Sequence, residues 1–230
     1  MEQNKTGKYL KYAIGEIVLV VIGILIALQL NNWSEQNKSN LFEIKILSEL
    51  QNDLRSNYQE LSSIKKNYIK AIAKSDSLIE IIKERSFDIH SHSKLLTYLD
   101  PGTLGTTNIS NTTYNFIENN GFEILTNDSL RISISDLYTR GIYNVLNMEK
   151  VYNNFYEKTT WPYLSSKFII VKTNHPIPID LKTFEDLKFK NILNKRARLL
   201  AASNNIIGTC IEDLEILIQE IEKEIAKLKD

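Results

Sequence analysis

The chain has 230 residues, and its 28 lysines and arginines are balanced by 28 aspartates and glutamates. Because the net charge is zero, no overall field attracts nucleic acid, and we expect no nucleic-acid partner. Glycine and proline are sparse: residues 41–85, 122–161 and 179–230 contain no proline and only Gly141 and Gly208. This composition favours long helices over short strands and turns.

The first element is an apolar segment near the N-terminus, unbroken from Ile17 to Leu28. The 17 residues between Lys11 and Gln29 make about 25 Å of helix, and flanking side chains that reach the interface extend it across a ~30 Å hydrocarbon core. Cleavage needs small residues three and one before the cut, and Gln29–Trp33 offers no such pair. We therefore predict a retained transmembrane helix at residues 12–33 in the lipid bilayer, a tail at 1–11 and one domain at 34–230.

Positive charges around this segment predict its orientation. Lys5, Lys8 and Lys11 precede it, and the first positive residue after it is Lys38. We expect the N-terminus in the cytoplasm and the C-terminal domain on the other side.

One face of the segment carries small residues and an acid: Gly15, Glu16, Gly23 and Ala27. Gly15, Gly23 and Ala27 are spaced by eight and four residues and leave a groove that another helix can approach, which predicts a helix-packing face. Glu16 has two interpretations. It either reaches the cytoplasmic interface one turn after Tyr12, or it faces a membrane-protein partner.

A heptad-like pattern follows the membrane segment and predicts a helix over about 40–85, continuous with the membrane helix. Apolar residues and two polar ones recur at alternating steps of three and four. The predicted core positions are Leu47, Leu50, Leu54, Asn57, Leu61, Ile64, Tyr68, Ala71, Ser75, Leu78 and Ile82.

A stricter repeat predicts a C-terminal helix over about 186–229. Its candidate seam is Leu200, Asn204, Ile207, Ile211, Leu214, Ile218, Ile221 and Ile225. Mostly isoleucine at one heptad position and leucine at the other, with one Asn, is typical of parallel dimers. The alternative is that this helix packs antiparallel to the first within one chain. Both a homo-oligomer and an intramolecular bundle are left open.

A third helix is predicted over about 127–160, with Asn127 at its start and Pro162 after its end. Short helices are expected after His90 and before Gly121, and an extended connection through Pro176 and Pro178. The predicted fold class is all-α: an N-terminal transmembrane helix followed by an elongated antiparallel bundle of three to four main helices.

Two stretches carry a family resemblance. "NKTGKYLKYAIGEIVLVVIGILIALQLNNWSE" and "TTYNFIENNGFEILTNDSLRISISDLY" resemble the two marked stretches of a family of single-pass membrane proteins of unknown function, abundant in Bacteroidetes. Asn120 and the pair Leu137-Tyr138 depart mildly from its pattern. The resemblance implies a Gram-negative inner membrane and a periplasmic domain. It implies no catalytic residue, ligand or partner.

Chemistry-bearing motifs are few. His90 and His92 are two apart in the sequence, whereas two metal ligands on one helix face are four apart. We predict no metal site and no cofactor, and the sequence indicates no particular small-molecule ligand. The single cysteine, Cys210, is expected to be a buried small hydrophobe rather than an interchain disulfide. With no catalytic constellation, we predict a structural or protein-interaction component. The alternative is an extracytoplasmic sensor or ligand-binding module acting through a membrane partner.

Overall fold

The computed structural model describes residues 3–100, 104–170 and 176–229, with side chains from residue 14 onward. The side chains of Lys5, Lys8 and Lys11, and all of His175, lie outside this part. The described chain is nearly all helical, and the predicted all-α fold class is confirmed. Its helices are α1 (Gln3–Lys83), α2 (Ile89–His92), α3 (Thr112–Asn120), α4 (Asp128–Asp136), α5 (Tyr143–Phe155), α6 (Trp161–Lys167) and α7 (Leu187–Lys229).

The first helix is continuous from the membrane segment into the bundle, as the sequence predicts. α1 runs for 81 residues without a break. Every side chain from Ile14 to Ser39 is exposed, and the first buried one is Glu43. Residues 31–42 therefore form a stalk, about 18 Å long, between the apolar segment and the bundle.

The bundle has four antiparallel legs, and contacts with α1 show their directions. As the chain advances from Thr97 to Thr126, its partners on α1 move back toward the membrane segment: Lys74 with Thr97, Asn67 with Leu104, Asn57 with Ser110, and Glu43 with Thr126. The third leg (α4–α6) then rises, and α7 descends beside α1, with Gln51 donating to the carbonyl oxygen of Ile218. This is the up-down-up-down order of short-loop bundles.

The second leg is only partly helical. It contains α2, a 3₁₀ segment at Ser93–Leu99, an irregular stretch that includes Leu104–Asn111, and then α3. α3 ends at Gly121, whose φ of 94° lies in the region that only glycine enters without strain. The expected short helices in this part of the chain are confirmed.

The third leg extends further than the sequence predicts. Asn127 caps α4 by accepting from the amide of Leu130 at 3.2 Å. The helix does not stop at residue 160 before Pro162. It continues to Lys167 because a π-helical segment, Tyr156–Thr160, precedes the proline at the start of α6. A π-helical turn joins residues five apart instead of four. This change in pairing lies next to Pro162, which has no N–H to donate. A second π segment, Leu137–Ile142, joins α4 to α5.

The end of the bundle far from the apolar segment contains a small sheet and the C-terminal end of α1. The connection between α6 and α7 forms a two-stranded antiparallel sheet, β1 (Phe168–Ile169) and β2 (Ile177–Pro178), followed by a 3₁₀ turn at Leu181–Glu185. α1 ends in a Schellman motif, in which the amide of Ser86 donates to Ile81 and that of Arg85 to Ile82. Arg85 has a φ of 55°, a conformation about 1 kcal/mol costlier for arginine than for glycine.

Candidate functional site

The small-residue face of the apolar segment is exposed. Gly15, Glu16, Gly23 and Ala27 all lie on the exposed part of α1. A Cβ added at Gly15 or Gly23 would meet no side chain of the described residues within 4 Å. By length and composition, α1 is the one helix of the described chain that is long and apolar enough to cross a membrane, and none of its apolar window is buried.

A basal polar cluster ties three legs together where α1 enters the bundle; it comprises Glu43, Thr126, Asn127 and Glu224. Glu43 Oε1 accepts from the amide and the hydroxyl of Thr126 at 2.8 and 3.2 Å. Asn127 Nδ2 donates to Glu224 Oε2 at 2.7 Å. Glu43 and Glu224 are 1% and 6% exposed, so protein groups replace water around both carboxylates. Lys227 also lies 3.3 Å from Glu224 Oε1, whereas the buried Oε2 of Glu43 has no partner among the described residues. The loop before α4 therefore connects α1 to α7 at the base.

A second polar contact, the α1 clasp, holds the irregular stretch before α3; it comprises Asp53, Asn57, Ser110 and Thr113. Asn57 donates to the carbonyl oxygen of Ser110 at 2.8 Å and accepts from its amide at 2.7 Å. Asp53 accepts from the Ser110 hydroxyl at 2.6 Å and from the Thr113 amide at 3.0 Å. Burial alone would raise the pKa of Asp53, but these hydrogen bonds outweigh it and hold the pKa below its ordinary value. The clasp replaces the regular hydrogen bonds that this stretch lacks.

A fully buried arginine lies among tyrosines higher in the bundle. Arg196 is 0% exposed, and its Nη2 donates to the carbonyl oxygen of Tyr98 at 2.7 Å. Its guanidinium carbon lies 5.5, 5.2 and 5.7 Å from the ring centroids of Tyr98, Tyr152 and Tyr156. Desolvated cation–π contacts are worth about 2 kcal/mol each, which offsets much of the cost of burying the charge. Burial raises the pKa of Tyr98 and Tyr152, so both phenols stay neutral. Arg196 thus joins the second leg, the third leg and α7.

The candidate seam of α7 lies against the intramolecular core. Leu200, Ile207, Leu214 and Ile221 are buried. The other row, Asn204, Ile211, Ile218 and Ile225, is half-buried. The residues that immediately precede this half-buried row form a third row along α7, and they are buried. They are Arg196, Ser203, Cys210, Leu217 and Glu224. The buried face is therefore rotated from the predicted stripe, because α7 packs against the third leg as well as against α1.

The residues with metal-binding or redox chemistry are isolated. His90 and His92 lie on α2, and Nδ1 of His92 accepts from the amide of Asp88 at 3.0 Å. Within residues 3–100, 104–170 and 176–229, no group of three His, Cys, Asp or Glu side chains is placed to hold a metal. Cys210 is buried, as predicted, and desolvation raises the pKa of its thiol to about 12. A thiol with so high a pKa is inert.

The comparison with known families gives one match, which covers residues 16–194. This range includes most of the membrane segment, the basal loop and the α1 clasp, and it is more than half of the chain. The chain belongs to DUF6090, a family of unknown function. No curated protein and no solved structure matches the chain. The DUF6090 match covers the first three legs of the bundle but only the first turns of α7.

Exposed apolar residues of this DUF6090 member are frequent at the distal end of the bundle. From the first residue of α6 to the first residue of α7, six large apolar side chains are at least two-fifths exposed. We call them the distal apolar residues. They are Trp161, Ile169, Ile170, Ile179, Leu181 and Leu187. Exposed apolar residues that form a contiguous patch are typical of protein-interaction sites.

The same end contains the distal cationic cavity, of about 410 Å³. Its lining comes from the end of α1 and the first turns of α7: Ile79, Ile82, Lys83, Arg85, Lys190, Leu193 and Asn194. Within the part of the chain that the structure describes, no acidic side chain lines it. An adjoining cavity of about 230 Å³ shares Ile82 and Arg85.

Sequence reasoning missed the polar members of these sites. Glu43, Arg196 and Glu224 were not expected in the core, since charged residues are rarely buried without a partner. The seven-residue spacing of Arg196, Ser203, Cys210, Leu217 and Glu224 was the one available signal. It is weak because only two of the five side chains are apolar.

Proposed function

We propose that this chain is a membrane-anchored protein-interaction component that presents its bundle at a fixed rotation relative to the bilayer. The observation that carries the proposal is the continuity of α1, which runs from Gln3 through the exposed stalk to Lys83 in the bundle. The basal polar cluster fixes the stalk to the rest of the bundle at Glu43. The distal apolar residues supply surface for a protein partner.

The proposed topology has the N-terminus in the cytoplasm and the bundle in the periplasm, anchored in the inner membrane. It is supported by the three lysines before the apolar segment and by Trp33, which is 68% exposed just beyond it. The inner membrane follows from the family resemblance of the first marked stretch.

The proposed membrane contact uses the face formed by Gly15, Glu16, Gly23 and Ala27, toward a second copy or another membrane protein. Since no described side chain lies within 4 Å of the added Cβ positions of Gly15 and Gly23, there is room for a close helix. Replacing Glu16 with Gln tests its role. Loss of a copurifying membrane protein supports contact with a partner, and unchanged complexes assign Glu16 to the interface alone.

Insertions in the stalk test the proposal as a whole. Two alanines after Gln36 rotate the bundle by about 200° relative to the membrane segment, whereas seven rotate it by only about 20° and raise it by about 10 Å. In cells that carry a photocrosslinker at Leu181 of the full chain, we expect a crosslinked partner in the wild type. The two-residue insertion removes this product, and the seven-residue insertion retains most of it. Identical crosslinks in all three chains refute presentation by a rigid α1.

A second candidate function is a ligand-binding module that acts through a membrane partner. The specific observation in its favour is the distal cationic cavity, whose volume is in the range of small-molecule sites.

A further inference from the structure

The distal cationic cavity combines an apolar floor with a positive rim. Ile82 and Leu193 are buried at its base, while Lys83, Arg85 and Lys190 contribute three positive charges. Lys83 also lies 3.6 Å from Glu80, but both side chains of that pair are exposed, so the contact is weak. A cavity of this composition is complementary to a molecule with one anionic group and an apolar body.

The backbone of Arg85 gives independent support. Its left-handed conformation closes α1, and glycine is the residue that this position favours. The side chain at this strained position lines both distal cavities. A costly conformation at a concave, charged surface points to a role for the side chain beyond ending the helix.

The position of the cavity decides the kind of ligand. Ile82 lies 52 residues beyond Leu30 along one continuous helix, about 78 Å from the end of the apolar segment. Lipids in the bilayer that anchors the chain do not reach this distance. The adjoining cavity adds Leu181, Phe184 and Lys182, with Glu185 as its one acid among the described residues, so the apolar body has room to extend.

We propose that the distal cationic cavity is a binding site for a soluble small organic anion, which carries a carboxylate, sulfonate or phosphate on an aliphatic or aromatic body. Arg85 and Lys190 bind the anionic group, and Ile82 and Leu193 contact the body. This site rests on the second candidate function, the ligand-binding module, and names its ligand class; it does not depend on the anchoring function.

Calorimetric titration of the full chain in lipid nanodiscs with naphthalene-2-sulfonate tests the proposal. We expect a Kd at or below about 1 mM, with inorganic sulfate and 2-naphthalenemethanol each binding at least about tenfold more weakly. Arg85→Gly and Lys190→Gln should each weaken binding about tenfold, since each removes one charge-assisted contact. Lys70→Gln is the matched control, because Lys70 is an exposed lysine of α1 that lines neither distal cavity.

Arg85→Gly also separates binding from folding. Glycine relieves the left-handed strain, so the melting temperature should rise by about 2–4 °C while affinity falls. The proposal is overturned if the sulfonate does not bind, if sulfate or the neutral alcohol binds equally well, or if both cavity variants bind like Lys70→Gln.

Discussion

The two asparagines at heptad core positions should respond in opposite ways to the same substitution. Asn57 on α1 makes two hydrogen bonds to the backbone of Ser110, whereas the buried amide oxygen of Asn204 on α7 has no partner among the described residues. A leucine at either position extends the apolar pattern of its helix. We predict that Asn57→Leu destabilises the bundle and that Asn204→Leu stabilises it.

The structure sets the size of each effect. Asn57→Leu leaves the amide of Ser110 unpaired and leaves its carbonyl oxygen with only the 3.3 Å bond from the Tyr138 hydroxyl, which costs about 2–3 kcal/mol. Burying the leucine offsets about 1.5 kcal/mol, so the net loss is about 1 kcal/mol. Asn204 is half-buried. Its replacement removes an unpaired oxygen and buries part of a leucine, a gain of about 1 kcal/mol.

Thermal unfolding of the full chain, followed by circular dichroism in one detergent, measures both variants. For a domain of this size about 2–4 °C corresponds to 1 kcal/mol. The melting temperature should fall by about 2–4 °C for Asn57→Leu and rise by about 2–4 °C for Asn204→Leu. A rise in both would show that the apolar pattern alone governs stability and would refute the α1 clasp.

Three further predictions concern single residues. Gly121→Ala should lower the free energy of unfolding by about 1–3 kcal/mol, because φ is 94° and the new Cβ would meet the Glu123 carboxylate. Gly15→Ala is the control: it has open space around it and should not change the stability of the bundle. Because the pKa of Asp53 is lowered in the folded state, its contribution is present above about pH 4 and lost as pH falls through the folded pKa. The melting temperature of Asp53→Asn should therefore decline less between pH 5 and 2.5 than that of the wild type, and parallel curves would contradict this assignment. The Cys210 thiol should resist iodoacetamide in the native chain and react after denaturation, so rapid native alkylation detected by mass spectrometry would argue against its burial.

The long helices were predictable because their burial follows a regular spacing. All eleven predicted core positions of α1 are buried, including the polar Asn57 and Ser75. Spacings of three and four place these residues on one face whatever their partner is. The continuity of α1 was predictable for a related reason, since residues 31–40 contain no strong helix breaker.

The second leg and the polar sites were not predictable because distant residues determine them. Leu104–Asn111 has no regular secondary structure, and it is held by side chains of α1 about fifty residues away in the chain. The burial of Arg196 depends on tyrosines from two other legs. Local spacing carries no information about either contact.

The antiparallel pairing of the first and last helices has a consequence for synthesis. Gln51 and its partner Ile218 are 167 residues apart, so the apolar face of α1 emerges long before α7 exists to cover it. Contacts at such separation form slowly, and uncovered apolar surface promotes aggregation in the meantime. A nascent chain that stalls before Leu214 would leave Leu47, Leu50 and Leu54 partly exposed, so it would need a chaperone that covers apolar surface until α7 is complete.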